Sequence, residues 1–272
     1  MPLNPETQKI VEQFKQLQLP SVPEVGAVEA REQYSLLAQF SHEKEPVAKL
    51  EGRTIPGTGG DIPLRIYTPE GVGPFPMLVY FHSGGWVLGD LEVEDSVCRI
   101  IANGARCIVI SVDYRLAPEH KFPAAAEDAY TATLWTAKNA ATINGDSSRI
   151  AVGGLSAGGN LAAVVTLMAR DRGEPSLIYQ LLFDPVTQYG FDTESYRQYT
   201  NDLLVTKDDM VWYWHQYLPS PADGNNPYSS PLFAEDLSNL PPALIISAEC
   251  DILYDDGKGY SEIGRASCRE RV

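Results

Sequence analysis

What this sequence has little of narrows its function first. Four cysteines in 272 residues (Cys98, Cys107, Cys250, Cys268) make no C-x-x-C pair and no zinc-type spacing. Neither a disulfide framework nor a metal site is expected, and Cys98, Cys107 and Cys250 sit in apolar contexts as small core residues. No apolar run reaches bilayer-spanning length, and MPLNPETQKI at the start carries no basic-then-apolar leader. The expectation is a cytoplasmic protein with no membrane partner. Positive charge is scarce too: 21 Lys and Arg against 36 Asp and Glu leave a formal charge of −15. That argues against nucleic acid, whose phosphates need a basic face. The acidic excess reads as a solvated surface. There is no internal repeat and no low-complexity tract. The remainder, 44% hydrophobic and 21% charged, is ample for a core of one or two domains.

The apolar pattern divides the chain. Ile10, Val11, Phe14 and Leu17 recur at helical spacing within Asn4 to Gln18, and a second helix is expected over Val25 to Phe40. From Val47 the texture changes to short runs. Ala48–Ile55 and Ile62–Thr68 read as a hairpin, followed by apolar strands at Met77–Phe81, Cys107–Val112, Arg149–Gly153, Leu177–Phe183 and Ala243–Ser247. Helical stretches at Leu91–Ala105, Pro123–Asn139 and from Ala157 to Arg170 alternate with them. Continuous apolar strands alternating with helices predict an α/β fold, a mostly parallel sheet covered on both faces, with the hairpin adding antiparallel strands at one edge. Between Thr187 and Pro242 the alternation lapses and aromatic residues crowd, with a helix expected over Thr206 to Tyr217. That segment reads as plain packing or as a cap lining an apolar pocket.

The chain is organised around Gly154-Leu155-Ser156-Ala157-Gly158, a G-x-S-x-G match between the strand at Arg149–Gly153 and the helix that follows. A serine at a sharp strand-to-helix turn projects its hydroxyl away from the backbone, and flanking glycines remove the Cβ atoms that would clash there. The helix points its free N–H groups and positive dipole end at the same place. Ser156 is the candidate nucleophile. In open α/β sheets ligands sit beyond the carboxyl ends of the strands, so the residues there carry the next information. After Phe81 comes His82-Ser83-Gly84-Gly85-Trp86, whose glycines free N–H groups for a developing oxyanion, with Ala157 N–H joining them. Asp184-Pro185 follows one later strand, and Asp251 stands beyond another, in the expected order of serine then acid.

HSGGW, VDYRLAPEHKFPAA, GGLSAGGNLA, DPV and DILYDDG together resemble the hormone-sensitive-lipase-like family of α/β-hydrolase esterases over about Val47 to Tyr260. The resemblance implies Ser156 as nucleophile, Asp251 as triad acid, and Gly84, Gly85 and Ala157 as oxyanion donors. Trp86, beside those glycines, is expected at the substrate pocket. Residues 1–45 are expected as cap helices, 46–260 as the hydrolase core with a cap insertion at about 187–225, and 261–272 as a non-native tail. Implied activity is hydrolysis of short- to medium-chain acyl esters of small molecules, with no cofactor, and a homodimer is compatible with it.

Three departures from the family pattern stand out. Ser83 replaces a glycine, Leu155 replaces an aspartate before the nucleophile, and the text after Tyr260, SEIGRASCRERV, reads as vector-derived with a natural polar tail as the alternative. The family's last helix–strand unit and its catalytic histidine are therefore expected to be missing, and the chain as written to be inactive. His42, His82, His120 and His215 all precede Asp251, so none is nominated as base. Two further readings stay open: a catalytically silent small-molecule receptor of the same fold, and an aryl amidase or deacetylase.

Overall fold

A computed structural model describes residues 3–36, 43–199 and 204–269, with side chains to 265. Seven strands, β1 (Lys49–Gly57), β2 (Gly60–Thr68), β3 (Phe75–Phe81), β4 (Ile108–Val112), β5 (Gly145–Leu155), β6 (Tyr179–Phe183) and β7 (Ala243–Ile246), build one sheet. Their order is β1-β2-β4-β3-β5-β6-β7. The hairpin pairs antiparallel, with Ile55 opposite Ile62, and β2 is antiparallel to β4. Every remaining pair is parallel. The strands read from the sequence are all present, and β5 begins earlier than expected, at Gly145.

Alternation along β3 explains the two-faced core. Met77, Val79 and Phe81 join the cluster that holds Ala129 of α4 (Ala124–Asn139) and the apolar residues of α5 (Ala157–Arg172). Leu78 and Tyr80 point the other way, to Cys98 and Ala102 of α3 (Asp95–Ala105). A period of two sorts side chains to opposite faces, and each face is covered by helix. Cys98 and Cys107 are buried as expected, while Cys250 is only partly so.

Element ends depart from expectation where polar side chains intervene. The first helix, α1 (Pro5–Gln16), is capped by Asn4. The second, α2 (Val22–Ser35), starts before Val25 because Ser21 and Glu24 form a capping box. Its expected extension to Phe40 falls partly outside the described residues. Asp90 holds the N–H groups of Glu92 and Val93 in a turn, so α3 starts at Asp95 and not at Leu91. Later come α6 (Glu194–Gln198) and α7 (Lys207–Tyr217), in the aromatic segment, and α8 (Tyr254–Arg269). The last corrects one expectation: the chain does not lack a helix after Asp251, since α8 extends to Arg269, into the stretch read as a tail. Asp255 and Asp256 lie in its first turn, where carboxylates suit the helix dipole, and Tyr260 is buried. Its polar composition hid it.

Candidate active site

The sheet order makes the site. From β3 the chain moves to β4 on one side, then crosses back to β5 on the other, so the connections leaving β3 and β5 diverge at their carboxyl ends. Phe81 and Gly154 are paired in register there. Ser156 stands just beyond, at φ 56° and ψ −115°. This is backbone that an L-residue adopts only under constraint. Its N–H donates to Phe183 O at 2.9 Å, and its carbonyl accepts from Asn160 N–H at 2.9 Å, which fixes the turn from both sides. The half-buried hydroxyl has no hydrogen-bond partner among the described residues.

Why the motif needs glycine is visible in the packing. A Cβ on Gly154 would lie 2.5 Å from Phe81 O, and one on Gly158 would lie 1.9 Å from the same oxygen. Bare backbone lets the serine turn press against the end of β3, which brings the following loop beside it. In that loop Gly84 has φ 112° and Gly85 φ 60°. Among the described residues, the N–H groups of Gly84, Gly85 and Ala157 donate to no partner. All three residues are buried. Buried N–H groups are rarely left orphaned, and here three come from the segments that flank Ser156. They offer an anion three donors.

Asp251 reaches the same end of the sheet by a second route. Asp184, directly after β6, accepts from Ala248 N–H at 2.6 Å and so pins the loop that leaves β7. Asp251 follows three residues later, its carboxylate accepting from Leu253 N–H at 2.7 Å. Desolvation first, and repulsion from Asp184 second, raise Asp251 to about 6. A carboxylate in that state favours a positively charged or N–H-donating neighbour. Asp184, noticed in the sequence only as a polar residue after a strand, therefore has a definite task.

The histidines sort clearly. His82 is buried and stacked on Tyr114 at 4.2 Å, and Nδ1 lies 2.7 Å from Ser83 O, so Nδ1 carries the proton. Burial lowers its pKa to about 4, and the ring is a neutral support for the loop. His120 and His215 are exposed. No histidine among the described residues hydrogen-bonds Ser156 or Asp251. His42 lies outside them.

Trp86, expected at the pocket, has no exposed surface. Its ring stacks on Tyr217 at 4.3 Å and tilts against Trp214 at 4.6 Å. It anchors the glycine loop to α7 and presents nothing to a ligand. The aromatic wall at the loop is Tyr213, whose ring fills the space a Cβ on Gly85 would need. Buried acids went unseen in the sequence, Glu94 and Asp256 among them. Glu94 accepts from the Ser83 N–H at 2.7 Å, and Asp256 from the Thr187 N–H at 2.8 Å. Nothing in local pattern separates them from their less buried neighbours Glu92 and Asp255. The described residues hold no cluster of His, Cys, Asp and Glu suited to a metal ion, and no helix long and apolar enough to cross a membrane.

Comparison with known proteins fits this geometry. A family profile described as alpha/beta hydrolase fold matches residues 78–271. The carboxylic ester hydrolase LipN of Mycobacterium tuberculosis is 47% identical over 220 residues, covering 79% of this chain and 58% of its own length. The chain thus spans little more than half of that relative. An arylesterase of Saccharolobus solfataricus is 36% identical over 262 residues, 96% of this chain and 85% of its own. The structure of a hyperthermophilic esterase from the archaeon Pyrobaculum calidifontis superposes with a TM-score of 0.93 at 46% identity, covering 98% of this chain and 86% of that one.

Proposed function

The chain belongs to the alpha/beta hydrolase fold family, and from that premise we propose that it is a carboxylic ester hydrolase with Ser156 as nucleophile. The observation that carries the reading is Ser156 itself: a half-exposed hydroxyl on a strained strand-to-helix turn, flanked by three unpaired buried N–H groups. In the proposed reaction Ser156 Oγ attacks the ester carbonyl carbon and gives its proton to a base. The carbonyl oxygen becomes an oxyanion, met by the N–H groups of Gly84, Gly85 and Ala157. The alcohol leaves with a proton, and water then releases the acid from the acyl-enzyme. Asp251 would orient and stabilise the imidazolium formed by a histidine base. With no such imidazole hydrogen-bonded among the described residues, the 272-residue chain is expected to turn over slowly.

Short- to medium-chain acyl esters are the proposed substrates. Tyr213 against Gly85 closes the space beside the oxyanion donors. Each methylene that fits gains about 0.8 kcal/mol, whereas a chain that overruns the space meets aromatic rings.

The test has two arms. A fluorophosphonate adduct should map to Ser156, and p-nitrophenyl butyrate should be cleaved far faster than the palmitate ester. The rate is taken as the difference from Ser156→Ala, with and without added imidazole to supply a base. Labelling elsewhere, or equal hydrolysis by Ser156→Ala, refutes the nucleophile. Faster cleavage of the palmitate refutes the substrate range.

A further inference from the structure

Beyond the residues that would meet the substrate, we propose that Tyr34, Ser83 and Glu94 form a positioning relay. It ties helix α2 to the glycine loop, so that docking of α2 sets the direction of the Gly84 and Gly85 N–H groups. The relay rests on the reading above for its chemical consequence, not for its geometry.

Ser83 is bound on two sides. Its N–H and its hydroxyl both go to Glu94 Oε1, at 2.7 and 2.5 Å. Glu94 is buried, and its other oxygen accepts from Tyr80 OH. Burial raises the Glu94 carboxyl, while the donors from Ser83 and Tyr80 pull it back. As a carboxylate it can only accept, so the single hydroxyl proton of Ser83 is committed to it. The remaining neighbour of Ser83 Oγ is Tyr34 OH at 2.8 Å, which must therefore be the donor. The chain of bonds has one direction, from Tyr34 on α2, through Ser83, to Glu94 just before α3.

A second clamp makes the first meaningful. One turn before Tyr34 on α2, the Arg31 guanidinium donates to Val87 O and Ala117 O, both at 2.8 Å, and pairs with Glu119. Helix α2 thus grips the loop at Ser83 and again at Val87. Between the grips lie Gly84 and Gly85, both at positive φ, the residues with the greatest freedom to turn their N–H groups. Glycine at 83 would keep the N–H bond to Glu94 and lose the hydroxyl link to α2. The serine that departs from the family's glycine supplies that link.

Tyr34→Phe and Ser83→Ala test the relay, each deleting one hydroxyl. Loss of an oxyanion donor costs about 100-fold or more in kcat, and misdirection should cost less, about tenfold. The expected result for p-nitrophenyl butyrate, with imidazole present throughout, is a kcat lowered about tenfold and KM within twofold. The double variant should be no slower than the slower single one, because both break the same chain. Hydrogen exchange over residues 82–89 should speed up in Tyr34→Phe, although that substitution lies on α2. This readout is independent of turnover. Unchanged exchange with unchanged kcat overturns the relay, as does a lowered melting temperature with kcat and exchange intact. Additive losses in the double variant overturn the linkage. Ester hydrolysis that survives Ser156→Ala would instead overturn the nucleophile assignment and leave the exchange result standing.

Discussion

Replacing Ser156 with glycine should make the protein more stable. At φ 56° and ψ −115° the serine Cβ is held in a region that costs an L-residue about 1–3 kcal/mol. Glycine adopts that backbone without the clash, and its greater unfolded-state freedom returns about 0.5–1 kcal/mol. The hydroxyl makes no capping bond to α5, so its removal forfeits no cap. The net gain is about 1 kcal/mol, or about 2–4 °C in melting temperature for a chain of this size. Ser156→Ala is the control: it removes the same hydroxyl but keeps the Cβ, and with it the strain. Calorimetry or urea unfolding of the three proteins decides the matter. The expected order is glycine above alanine, with alanine near the parent. Glycine ranks above alanine at an ordinary N-cap as well, so it is the gain of glycine over the serine parent that reports the strain. If glycine is no more stable than alanine, the strain argument fails, and with it the idea that the fold holds this turn against a cost.

Other perturbations follow from the same geometry. Gly158→Ala places a methyl 1.9 Å from Phe81 O, backbone against backbone, and should cost about 3 kcal/mol in urea unfolding; an unchanged midpoint would show that the elbow can relax. Asp256 is fully buried and raised by desolvation to about 7. The folded protein then holds this proton more tightly than the unfolded chain, so its contribution is full below pH 4 and lost as pH rises through 7. Asp256→Asn should gain on the parent by up to about 4 kcal/mol between pH 4 and 8, and parallel stability curves would refute this. Among the described residues β7 pairs only with β6, and it exposes Leu244 and Ile246 at 44% and 45%. The 272-residue chain should therefore self-associate, and Leu244→Lys should reduce light scattering; equal scattering from both proteins would count against the edge.

The sequence by itself determined what adjacent residues enforce. Gly154, Ser156 and Gly158 are two positions apart, and their sterics admit one kind of turn wherever a strand meets a helix. The alternation Met77, Val79, Phe81 against Leu78, Tyr80 declared a sheet with two covered faces. Order along the chain carried Asp251, since a loop after a late strand returns to the same end of a parallel sheet. Only the tertiary structure decided the rest. Glu94 and Asp256 are written like Glu92, which stays exposed, and Asp255, which is half-buried, and what separates them is how deeply the segments around them pack. Trp86 looked like a pocket wall by its place beside two glycines, until Tyr217 and Trp214 closed over its ring. Helix α8 escaped notice because its stretch is mostly polar, and burial of Tyr260 comes from packing that no local period records. Steric rules act between neighbours in the chain, while burial, and the direction of every pKa shift that follows from it, depends on which remote segment folds against the residue.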